Sequence, residues 1–395
     1  MELVPVDRED VAVGKSLDND IVDSLGRMLL PRGTPVADIA QSKQLWMRGY
    51  LRETPAPPSG TPAQPQVSLW RQKPPSGDTP SSTPKFFQTV ERLSFSLWEL
   101  VADVLGRRTT PVMERTLDLV RGIQIQMGKD PDAFLASLEL CQVCRYGTLH
   151  AIHSAAICDL VAQAMGHGAE DRRILMAAAL TRDIGFLELQ EVLDRQSEPL
   201  TEEQQEEVRV HPLASRNLLE AAGVRDPLWL SVVEQHHERI NGSGYPNALE
   251  GEQIHVLARI LGIADIYSAM GKARVYRAAI QGPNAVQGLF QLRGSIVDAQ
   301  ITQVFARKLG IFHPGLVVRL RSKELAVVTR RTDDLKQPEV RAITDPDGKL
   351  LPIYAPRDVG DPAQAIVEIV PRSHPVLEKL NHRQLWGEGY GVVRR

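Results

Sequence analysis

Nine of the chain's 27 prolines fall within the 31 residues 54–84, TPAPPSGTPAQPQVSLWRQKPPSGDTPSSTP. Each proline removes a backbone donor and fixes φ, so this density admits neither a regular helix nor a sheet. The stretch reads as an extended linker. The 395 residues must therefore fold in pieces on either side of it, and the longer piece is large enough to bury a sizeable core.

On the short side, residues 1–53 carry apolar runs around DIVDSLGRMLLPRG. The punctuation at Ser24-Leu25-Gly26 predicts a β-hairpin, followed by a helix through Ala37–Gly49. This is a small interaction or sensing module that offers no chemistry of its own. On the long side, from Lys85 to about Leu309, segment after segment (WELVADVL, ERTLDLVRGIQIQM, IHSAAICDLVAQAM, DRRILMAAALTRDI) repeats apolar residues at i, i+3 and i+4. Thr201-Glu-Glu-Gln204 opens one of these helices with a capping box. Beyond His313-Pro314-Gly315 the pattern changes to short β-branched runs, LVVRL, LAVVTRR, EVRAIT and AIVEIV. The expected architecture is mainly α. A helical connector (85–144) leads to a helical-bundle core (145–315), flanked by a small N-terminal α+β module, a small β-rich module (316–371) and a tail (372–395).

Composition narrows the function classes. A net charge of −3 gives no basic footprint for nucleic acid. The longest apolar run, ILMAAAL (174–180), is far short of the ~20 residues that span a bilayer. The N-terminus MELVPVDRED has no apolar leader region. Three cysteines make no disulfide framework, so a cytoplasmic protein is expected. Two of them, Cys141 and Cys144, lie in SLELCQVCRYGTLHAIH. The periodicity there predicts one continuous helix, with both thiols free and buried on its apolar face.

The groups with ligating chemistry recur against apolar helical stripes. His153 leads HSAAICDLVAQAMG, Asp183 follows AAALTR, His211 lies within VRVHPLASRNLL, His236 and His237 follow LWLSVVEQ, and Asp265 closes LARILGIAD. Imidazoles and carboxylates projecting from several helices are how a bundle builds a metal site. Iron, manganese and zinc accept such mixed ligation, and paired ions suit phosphoester hydrolysis. The residues themselves predict a helical metal site for a phosphate ester.

The series HS…(R)DIG…HP…HHERINGSGYP…AD resembles the HD-GYP family of HD-domain metal phosphohydrolases. LTEEQQEEVRVHP, LEGEQI, ARILGIADIY and ARVYR extend the likeness across roughly residues 145–315. The resemblance implies a bacterial signalling protein with an α-helical core, which hydrolyses cyclic di-GMP to pGpG or GMP at a centre of two or three metals, iron or manganese above all. Carried over by position, the metal ligands are His153, Asp183, His211, His236, His237 and Asp265, with Asp183 bridging two ions. Tyr245, Arg274 and Arg277 face the nucleotide. A signalling partner would engage the N- or C-terminal module.

The departures from the family pattern are concentrated. Arg182 stands where the family has its name-giving histidine, and a guanidinium cannot coordinate a metal. Phe186 replaces a phosphate-facing lysine, and Leu149 replaces a carboxylate used by three-metal members. Asn241 and Ser268 each replace an aspartate. His211, His236, His237 and Asp183 remain complete for one ion, while Arg182 puts a fixed positive charge where the other would sit and is expected to pair with Asp183 or Asp265. Phosphodiesterase activity is therefore expected to be reduced or absent, the alternative being an active enzyme with a depleted second site.

Overall fold

The computed structural model describes residues 3–5, 8–11, 13–22, 28–37, 41, 45, 50–52, 85–141, 143–193, 196, 198–270, 282–371 and 374–386. The chain divides into two compact units, Met1–Ser76 and Gly77–Arg395. The expected linker 54–84 and most of the expected helix at 37–49 lie outside the described residues.

In the first unit, β1 (Leu3–Pro5), β2 (Asp20–Val22), β3 (Met28–Leu30) and β4 (Tyr50–Arg52) form an antiparallel sheet in the order β1-β4-β2-β3. Pairing of Ile21 with Leu30 makes the expected hairpin, although its turn lies outside the described residues. Val11, Leu17, Ile21, Val36 and Leu45 form a small core.

The second unit is led by α1 (Lys85–Leu105), α2 (Val112–Lys129) and α3 (Pro131–Leu140). There follow α4 (Tyr146–Ala164), α5 (Ala169–Thr181), α6 (Leu187–Leu193), α7 (Glu202–Ala221) and α8 (Pro227–Gln235). The helical part closes with α9 (Val256–Met270), α10 (Pro283–Leu292) and α11 (Ala299–Leu309). Local chemistry sets the helix starts. Asp130 and Asp226 each cap a helix whose first residue is proline, which has no N–H to leave unsatisfied. Thr201 and Gln204 form the expected capping box, with Thr201 Oγ1 accepting from Gln204 N at 3.2 Å and Gln204 Oε1 accepting from Thr201 N at 3.1 Å.

α4 is buried on nearly every side, through Ile152, Ala155, Ala156, Ile157, Val161 and Ala162. Phe86, Leu97, Ile123 and Phe134 of the first three helices share one core with Ile152, Leu175, Trp229 and Ile260. The segment at 85–140 is thus part of the body of the bundle. The CxxC departs from expectation. α3 ends at Leu140, Cys141 is extended (ψ 121°), and α4 starts only at Tyr146, so both thiols are half-buried in a break between helices.

A five-stranded antiparallel sheet follows, built from β5 (Val317–Leu320), β6 (Leu325–Arg330), β7 (Glu339–Thr344), β8 (Leu350–Arg357) and β9 (Ile366–Ile369) in the order β8-β7-β6-β5-β9. Val317, Val327 and Ile343 of the sheet reach the helical core. Arg330 donates to both oxygens of Asp130 at 3.1 and 2.7 Å, tying the end of β6 to the cap of α3. The tail adds a short helix, α12 (His382–Trp386), whose Trp386 indole donates to the Thr329 carbonyl at 3.2 Å. Residues 387–395 lie outside the described residues. Among the described residues, no helix is long and apolar enough to cross a membrane.

Candidate metal centre

His211 lies inside α7 just before Pro212. A proline has no N–H to give the carbonyl four residues back, so the Val208 carbonyl is left without its helical donor. His211 Nδ1 takes that carbonyl at 2.7 Å. At the end of α8, where helical partners also run out, His236 Nδ1 takes the Val233 carbonyl at 2.6 Å. A carbonyl only accepts, so in both rings the proton sits on Nδ1 and Nε2 presents a lone pair. The two Nε2 atoms lie 3.4 Å apart and face Asp183 Oδ1 at 3.5 and 3.7 Å. His237 completes this group. Burial pushes the His211 and His237 imidazoles below the ordinary range, which keeps them neutral. Acceptors converging with no proton between them call for a cation, and the residues fit one borderline divalent ion.

The loop after His237 is fixed by its own side chains. Glu238 accepts from the backbone N–H groups of Asn247 and Leu249 at 2.7 and 2.9 Å. Gly244 packs so tightly that a Cβ there would lie 2.3 Å from Arg239 N and 2.5 Å from Glu238 Cα. This brings the Tyr245 ring against His237, centroid to centroid 4.8 Å. Burial raises the Tyr245 hydroxyl above the ordinary phenol range, so it remains a donor.

The neighbouring group is built differently. Arg182 is fully buried at the end of α5. Its Nη2 and Nε donate to Asp265 Oδ1 at 2.8 and 3.2 Å, its Nε lies 3.3 Å from Asp183 Oδ2, and its Nη1 donates to the Ala179 carbonyl at 2.6 Å. Burial alone would raise both carboxyls, but the guanidinium outweighs it and holds Asp183 and Asp265 well below the usual range. His150 Nε2 also meets Asp265 Oδ1, at 2.9 Å. Although His150, Asp183 and Asp265 lie close enough to hold an ion, Asp265 Oδ1 is already met by three nitrogens, two of them on a fixed cation.

The structure brings Asp183, His211, His236, His237 and Asp265 together, with Tyr245 at their edge. His153 stands apart from both candidate groups, with Nδ1 3.4 Å from the Ser268 hydroxyl. Phe186 stacks on His211 at 4.8 Å. Arg274 and Arg277 lie outside the described residues. His150, which sequence reasoning passed over, is the residue added. Its only signal was a histidine one turn before His153 on the same helix.

A family model described as HD domain matches residues 134–301. A cyclic di-GMP phosphodiesterase of Pseudomonas aeruginosa is 33% identical over 53% of this chain and 51% of its own length. Residues 134–301 are an HD domain, similar in sequence to HD-GYP phosphodiesterases. A cyclic di-GMP phosphodiesterase response regulator of Xanthomonas campestris is 32% identical over 38% of this chain and 40% of its own length. A 3′3′-cGAMP-specific phosphodiesterase of Vibrio cholerae is 28% identical over 58% and 49%. The chain spans about half or less of the length of each of these relatives.

Proposed function

We propose that this chain is an HD-GYP protein of cyclic di-GMP signalling whose phosphodiesterase activity is reduced or absent. The observation that supports this reading most is the buried pairing of Arg182 with Asp265 and Asp183. Two carboxylates and one guanidinium leave a single negative charge, which one divalent ion held by His211, His236, His237 and Asp183 would more than balance. Such an ion would act as a Lewis acid toward a bound phosphate and lower the pKa of its water. The chain's own residues supply less than the family's usual set. Phe186 offers a ring where a cation would meet the phosphate, and loss of such a charge typically costs orders of magnitude in rate. Tyr245 offers an aromatic face and a hydroxyl donor for the nucleotide. A second reading, an active phosphodiesterase with a depleted site, is favoured by the complete His211, His236, His237 and Asp183 set.

Metal content and hydrolysis of cyclic di-GMP and 3′3′-cGAMP, measured on one anaerobically purified sample, test the proposal. About one metal per chain and no turnover is the expected result. Two equivalents of metal, with turnover of either nucleotide at the rate of intact relatives, would establish the second reading. Arg182→His combined with Phe186→Lys is expected to gain a second metal and activity.

A further inference from the structure

The two cysteines of Cys141-Gln-Val-Cys144 have no part in the metal centre, yet the fold places them in an unusual way. Their Sγ atoms are 2.9 Å apart, a side-chain rotation away from the ~2 Å of a disulfide. The backbone at Cys141 is extended, not helical, so the pair is not held at the spacing of a helical turn. Val143 between them is 78% exposed, so solvent-borne reagents reach this turn. The remaining cysteine, Cys158, is fully buried in α4 and takes no part.

We propose that Cys141 and Cys144 are a thiol–disulfide exchange site, at which one thiolate of the pair attacks a small-molecule disulfide and the other resolves the product. In the first step a bond from the attacking cysteine to one reagent sulfur forms as the S–S bond of the reagent breaks, releasing one thiolate. In the second, the other cysteine loses its proton to solvent and attacks the first cysteine's Sγ, expelling the second thiolate. Two electrons pass from the protein to the small-molecule disulfide, which leaves as two thiols. The short contact between the two sulfurs draws the Cys141 thiol down to about 7, against the opposing effect of burial, and the same contact together with burial pushes Cys144 up. Two thiols this close can divide the work, one attacking and the other resolving.

The site adjoins the first turn of α4, which carries His150. Arg145 lies over Trp98 at 4.0 Å, Thr148 shares a 2.5 Å hydrogen bond with Ser94, and Tyr146 stacks on His150 at 5.2 Å. A bond closing the turn in front of these contacts restrains the start of the helix.

The full chain equilibrated with reduced and oxidised glutathione, digested and mapped by mass spectrometry, provides the test. The expected product is one internal Cys141–Cys144 disulfide, lighter by two hydrogens, with slower amide exchange over 145–150. Cys141→Ser and Cys144→Ser are each expected to accumulate a mixed glutathione disulfide on the remaining thiol, which the wild type resolves internally. Thiols that stay reduced under oxidised glutathione, or a mixed disulfide that accumulates as much in the wild type as in the variants, would overturn the assignment. Unchanged amide exchange would overturn the restraint on α4.

Discussion

Arg182 and Asp265 form a buried pair in which two guanidinium nitrogens converge on one carboxylate oxygen, at 2.8 and 3.2 Å. The arginine is fully buried, so its charge is not relieved by water. Removing the cation strands Asp265 and Asp183 in the interior. Arg182→Met is expected to destabilise the protein by about 3–5 kcal/mol, measured by denaturant unfolding in chelator. Added manganese is expected to recover part of that loss, because an ion can then take the guanidinium's place. A variant as stable as the wild type in chelator would show that the pair is solvated.

Pro212 links helix chemistry to the proposed metal pocket, so changing it should move two properties in opposite directions. Pro212→Ala restores an N–H for the Val208 carbonyl and competes with His211 Nδ1. Stability of metal-free protein is expected to rise, since a proline inside a helix costs up to about 3 kcal/mol. Metal affinity is expected to fall about 10- to 100-fold, as when other outer partners of ligating histidines are lost. Calorimetric metal titration beside a melting curve would check both.

The glycines of the loop are not equivalent. A methyl group at Gly244 would overlap the backbone of Glu238 and Arg239, whereas at Gly242 the nearest atom is 3.7 Å away and only the positive φ is strained. Gly242→Ala is expected to cost about 1–2 kcal/mol. Gly244→Ala is expected to cost more and to displace Tyr245 from His237, read as a change in tyrosine fluorescence together with weakened nucleotide binding. Equal costs at the two positions would contradict the packing.

His382 offers a pH test away from the metal. Its ring lies over Phe87 at 4.1 Å, its Nε2 is buried without a partner, and burial lowers its pKa to about 4. Unfolded, the group takes up its proton near pH 6.5. The unfolded state therefore binds more protons between those values, and stability is lost as pH falls from about 6.5 toward 4. His382→Phe is expected to flatten this part of the profile of melting temperature against pH. An unchanged slope would place the titration elsewhere.

The helical core was legible because its signal is local: apolar residues every three or four positions, and caps such as Thr201 with Gln204 that act within one turn. The meeting of His211, His236 and His237 was legible from their order along the chain, whereas His153 from the same series stands apart. His150 was not, because its importance comes from Asp265, 115 residues away, and no local pattern encodes that meeting. The break at Cys141 was hidden for a related reason. The apolar period runs through residues 137–146 without proline or glycine, so no local signal marks the end of α3 at Leu140. The role of Pro212 needed the hydrogen bond itself, since the same dipeptide on another helix face would fix no imidazole.

A guanidinium cannot be stripped by a chelator, oxidised by dioxygen or exchanged for a competing ion. With Arg182 in place, the carboxylate of Asp265 keeps a cation beside it whatever the supply of metal. On the one-ion reading proposed above, the pocket of His211, His236 and His237 would then be the part that registers whether a metal is present.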